Sequence, residues 1–161
     1  MSSSNGEKHP FLDDLADDAE LRGTVLRRPV SGRDKIKHLV EAVGTLYASQ
    51  TPTFYGAIDQ RHFLQYKATL RAGLDLEAVG VIERDGTGLV RRVTMTFAPL
   101  DAALSLSAGL GGIIGEKFGD DLFYNAPVNE VAGSSLPDQH TITRKGAGGR
   151  ATATPRPFAR H

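Results

Sequence analysis

Few side chains in this chain combine acid–base or hydrogen-bonding chemistry with apolar surroundings. His62 opens a stretch, His62–Arg71, in which Leu64 and Tyr66 share its side of a strand. An imidazole whose ordinary pKa is near 6.5 can take or give a proton close to neutrality. Asp59, three residues earlier, could orient that ring across a bend, and the Tyr66 hydroxyl could stabilise developing negative charge. Tyr47, on the apolar side of a helix pattern, offers a second hydroxyl. Each has a structural alternative: a capping or solvent-facing histidine at a strand start, and core tyrosines with one satisfied hydroxyl. His38 lies off the apolar stripe of its helix and reads as solvated, while His9 and His140 fall in or near the tails. Asp75 and Glu77 share the polar face of a strand, where carboxylates are solvated.

Other chemistries find no support. The chain has no cysteine, which excludes disulfides, thiolate catalysis and cysteine-based metal clusters. His62 with Asp59 supplies at most two metal ligands, so no metal is expected, and no cofactor. Gly109-Leu110-Gly111-Gly112 lies inside a helix pattern rather than after a strand, so it is no phosphate loop.

The elements that must position the candidates are readable. Pro10 to Ala16 suits one or two helical turns with Phe11, Leu12 and Leu15 inward, and Ala19–Leu26 reads as a strand. Ile36, Leu39, Val40, Val43, Leu46 and Tyr47 form a stripe of period 3.6, opened by a capping-box pattern, Ser31 to Asp34. Pro52 then falls just past the helix. Thr53–Asp59, His62–Arg71, Leu74–Arg84 and Leu89–Ala98 read as strands, the last two joined by the hairpin signal Asp85-Gly86-Thr87-Gly88. A closing helix, Leu100–Phe118, carries four glycines, each costing about 1 kcal/mol relative to Ala, so close packing must offset them.

Alternation assigns faces. Leu74, Leu76, Ala78, Gly80 and Ile82 point one way, with Leu64, Tyr66, Ala68 and Leu70 on the neighbouring strand. Ala78 and Gly80 leave room there, either for a ligand or for a closely packed helix. The expected ligand wall is Tyr47, His62, Leu64, Tyr66, Leu76, Ala78 and Gly80.

With 161 residues, 40% hydrophobic and 24% charged, the chain fits one globular domain with tails. Residues 1–8 are expected to be a disordered tail, 9–124 the domain, and 125–161 a mostly disordered basic tail. Nineteen Lys+Arg balance nineteen Asp+Glu, yet residues 1–138 carry net −5 and residues 139–161 net +5. The overall neutrality argues against nucleic-acid or anionic-membrane binding. No apolar run reaches the roughly 18 residues of a membrane span, and a cytoplasmic location is expected.

The order short helix, strand, amphipathic helix, meander resembles the nuclear-transport-factor-2-like superfamily in its SnoaL-like and ketosteroid-isomerase-like branch. The residues that carry this are Leu15-Ala16-Asp17-Asp18, Ser31-Gly32-Arg33-Asp34, Asp85-Gly86-Thr87-Gly88 and Phe97-Ala98-Pro99-Leu100 with Ala103 and Leu104. The resemblance implies an α+β cone, a bent antiparallel sheet of four to five strands wrapped around helices, with a shortened leading helix. It further implies an apolar pocket and a homodimer through the sheet's outer face. The positions of the steroid isomerases' general base and oxyanion acid fall near Gly23 and Gly80, whose side chains can do neither job. Three functions follow as expectations: binding of a small apolar or aromatic molecule; cofactor-free acid–base catalysis by an isomerase, cyclase or hydrolase; or a structural dimerisation module.

Overall fold

The computed structural model describes residues 9–119 and 121–125, so the tails expected at 1–8 and beyond Asn125 lie outside the described residues. A single 3-10 turn, Leu12–Asp14, leads into β1 (Leu15–Gly23) and the two-residue β2 (Val30–Ser31). Then follow α1 (Arg33–Leu46), β3 (Tyr47–Ile58), β4 (Arg61–Leu70), β5 (Asp75–Arg84), β6 (Val90–Ala98) and α2 (Leu100–Phe118). The fold is α+β, with a six-stranded sheet ordered β2-β1-β6-β5-β4-β3.

Three expectations need correction. The sheet has six strands rather than four to five, and it is mixed, because β1 runs parallel to β6. The leading helix shrinks to the 3-10 turn: Leu15 and Ala16 already belong to β1, where both are buried. β3 starts at Tyr47, six residues before the expected Thr53, and Pro52 sits inside it. That proline is tolerated because β3 is the sheet's edge strand and is bulged between Pro52 and Phe54.

α1 forms where the apolar stripe demands, burying Ile36, Leu39 and Ala42. Its opening differs from the capping-box reading. Gly32, at φ 111°, holds the N-cap position without a side-chain cap bond, and Ser31 is committed to β2. α2 packs on β5 and β6 and buries Ala103, Leu106, Leu110 and Ile114. Of its glycines, Gly109 answers a close approach, since a Cβ there would stand 3.1 Å from the Leu46 side chain. Nothing lies within 4 Å of a Cβ at Gly112 or Gly115, so that account does not extend to them. The buried Ser107 hydroxyl donates to the Val25 carbonyl at 2.7 Å and accepts from the Tyr124 N–H at 2.9 Å, tying β1's exit to the segment after α2.

In β5 the alternation holds: Leu76, Ala78, Gly80 and Ile82 are buried. The opposite face carries ion pairs, Lys67–Glu77 at 3.7 Å and Arg92–Glu20 at 3.4 Å, around the apolar residues Phe63, Val79 and Val81. Among the described residues, no helix is long and apolar enough to cross a membrane.

Candidate functional site

A cavity of about 1170 Å³ lies between α1 and the inner side of the sheet, with His9, Pro10, Phe11, Leu12 and Asp14 contributing to its wall. Its size suits a drug-sized molecule. Apolar residues from four elements build most of the wall, including Leu39, Val43, Leu64, Met95, Phe97 and Leu110. Where the wall meets solvent it is formed by exposed residues of α1 and the edge strand, among them Glu41, Gln50, Pro52 and Tyr55.

The two inward tyrosines meet in this cavity. Tyr47 ends α1, its N–H bonded to the Gly44 carbonyl, and begins β3 with an extended backbone, so two elements fix its side chain. Tyr66 reaches it from β4. The hydroxyl oxygens are 2.7 Å apart and the rings stand edge-on at 5.9 Å. Burial pushes the Tyr47 hydroxyl far above its usual pKa, reinforced by the neighbouring Tyr66. Burial also raises Tyr66, partly offset by its bond to Tyr47. Both phenols are therefore neutral at physiological pH. Two hydroxyls carry two protons, and one proton suffices for their mutual bond, so the pair retains one donor for a third group.

The other expected residues are placed differently. Leu64 lines the cavity with Tyr47 and Tyr66, whereas Leu76, Ala78 and Gly80 do not. Leu76 and Ala78 are buried on β5, one of the two central strands, on which α2 packs. The space left by Gly80 is occupied: a Cβ there would stand 2.8 Å from Met95 Sδ and 2.9 Å from Leu64 Cγ. His62 sits outside the cavity wall, its Nδ1 2.9 Å from the Tyr55 hydroxyl. No hydrogen bond or ion pair joins it to Asp59, so the expected orienting role passes to Tyr55. Asp59 occupies the tight β3–β4 turn at φ 54°, a left-handed conformation that suits Asp. At Gly23 any Cβ would collide with the Met95 carbonyl, so the β1–β6 contact itself bars an acid from that position.

Sequence reasoning passed over His9, Arg84 and Met95. His9 looked like part of a tail, yet it lines the cavity, with Nδ1 accepting from the N–H groups of Phe11 (3.3 Å) and Leu12 (3.2 Å). Burial holds its pKa below the usual histidine value, against an opposing pull from Asp13. Arg84 anchors the same segment, donating to Pro10 O (3.0 Å), Asp14 Oδ2 (3.0 Å) and Gly88 O (2.8 Å). For Met95 the available signal was parity with Val93 and Phe97 along β6.

No family model and no curated relative matches the sequence. Solved structures do. An uncharacterised protein conserved in bacteria with a cystatin-like fold, from Silicibacter pomeroyi, aligns over 69% of this chain and 82% of its own, at 16% identity and TM-score 0.62. A steroid delta-isomerase from Pseudomonas aeruginosa aligns over 66% of this chain and 79% of its own, at 16% identity and TM-score 0.60. At such identities the likeness concerns backbone architecture alone, and this chain has the α+β fold of those two proteins, a curved sheet packed against helices.

Proposed function

We propose that this protein binds a small apolar or aromatic molecule bearing a neutral hydrogen-bond acceptor such as a carbonyl. The observation that carries the reading is the Tyr47–Tyr66 hydroxyl pair at 2.7 Å in a cavity whose wall is mostly apolar. A buried donor without a partner is costly, and a ligand carbonyl relieves that cost while the wall takes the ligand's apolar surface from water. The raised pKa of both phenols favours a neutral donor over a phenolate, which suits an uncharged acceptor. Calorimetric titration with aromatic and alicyclic ketones tests the proposal. We expect binding that weakens about 3- to 10-fold in Tyr66→Phe, the worth of one hydrogen bond. Equal affinity for a ketone and its parent hydrocarbon would remove the tyrosine pair from the reading.

A second reading, cofactor-free acid–base catalysis, draws on the Tyr55–His62 pair near the rim, which would orient an imidazole without a carboxylate. As for partners, we take a second copy of this chain as the occupant of the outer sheet face. The support is the apolar strip Phe63, Val79 and Val81 between rows of ion-paired charges.

A further inference from the structure

The cavity has a second polar station, remote from the tyrosines. Tyr66 pairs with Ala78, and Arg84 lies six residues farther along β5. At about 3.3 Å per residue the separation is roughly 20 Å along the strand, less where the sheet curves. Arg84 bonds to the Pro10 carbonyl, which places the His9–Asp14 segment at this far end. The chemistry available there is narrow. The Arg84 terminal nitrogens are engaged by Pro10, Asp14 and Gly88, its charge faces the Asp14 carboxylate at 3.0 Å, and only its buried Nε has no hydrogen-bond partner among the described residues.

His9 differs. Its Nδ1 accepts from two backbone N–H groups, and a nitrogen that accepts carries no proton. The neutral ring must hold its proton on Nε2, which has no partner among the described residues. Among the described residues, the charged groups facing this segment are Asp13, which favours the cation, and the Asp14–Arg84 pair; burial outweighs Asp13 and holds the ring's pKa below its usual value.

We infer that His9 Nε2–H is the donor at the cavity's far end, and that the occupant is an elongated, uncharged molecule with one acceptor at each end and an apolar middle. This rests on the cavity reading proposed above and adds the ligand's length and its second polar group. An acceptor at one end meets the tyrosine pair, and the other meets His9. A carboxylate at the far end is disfavoured, because the Arg84 guanidinium already faces the Asp14 carboxylate.

Calorimetric titration of the full chain with straight-chain methyl ketones, and with diketones of matched length bearing a carbonyl near each end, tests this. The expected result is a diketone that binds about 3- to 10-fold tighter than its mono-ketone at one chain length only. In His9→Phe that ratio should fall to within about twofold of one, whereas Tyr66→Phe should weaken both ligands and preserve it. Because His9→Phe also removes the backbone bonds at residues 11 and 12, the wild-type His9 ring nitrogens are to be followed by NMR. The diketone should shift Nε2 and the mono-ketone should not. A ratio near one at every chain length, or a ratio that survives His9→Phe, overturns the inference while leaving mono-ketone binding, and the cavity reading, intact. Absence of binding by either ketone overturns the cavity reading and this inference with it.

Discussion

β5 and β3 lie in one sheet with only β4 between them, yet they meet very different surroundings. β5 alternates buried and exposed residues for most of its length, with Ile82 fully buried, because α2 packs against it and neighbours flank both edges. β3 is exposed at nearly every position after Tyr47, and Ile58 is 68% exposed. Strand geometry is common to both, so the difference is made by what covers each strand. The covered side of the sheet supplies stability, and the uncovered side supplies the cavity's solvent-facing rim.

Substitutions on either side probe that division. The largest effect is expected on the covered side: Leu110→Ala, at a fully buried position of α2, should cost about 2–5 kcal/mol in chemical denaturation. Next comes Ser107→Ala, which leaves the Val25 carbonyl and the Tyr124 N–H without their buried partner, at about 1–3 kcal/mol in the same assay. A smaller effect should appear as a pH dependence. The folded pKa values of Tyr47 and Tyr66 lie above the unfolded value of about 10. The neutral phenols' contribution is therefore complete below that pH and declines as pH rises through it, where the unfolded chain ionises first. Urea midpoints between pH 8 and 11 should fall less steeply in Tyr47→Phe than in wild type. The smallest change belongs to the open side: Phe54→Ala should alter monomer stability by no more than about 0.5 kcal/mol. A loss there as large as at Leu110 would mean that this wall is covered in solution.

The same division explains what could be read in advance. Where one side of an element is covered, its period is written in the residues: Ile36, Leu39 and Ala42 of α1, and the even positions of β5. The exposed strand β3 has no such requirement, and Tyr47–Pro52 passed for a helix end and a linker. β1 was obscured because its pairing partner is remote in sequence, so local pattern carries no trace of the parallel contact. For the site, alternation placed Tyr47, Leu64 and Tyr66 on inner surfaces, and they do line one cavity. It could not show that Leu64 and Met95 fill the space beside Gly80, since that depends on side chains of neighbouring strands. Nor could it show His9, whose place is set by the Arg84 and backbone contacts of a segment with no period of its own.

The parallel contact between β1 and β6 also bears on how the chain assembles. Apart from the two residues of β2, the first strand to leave the ribosome has no sheet neighbour until the last one has been made, some seventy residues later. Its apolar residues Leu15 and Ala16, which lie outside the β2 pairing, must wait unpaired through most of synthesis. Closing so long a loop is entropically slow, and a nascent chain stalled before β6 presents a strand open to intermolecular pairing.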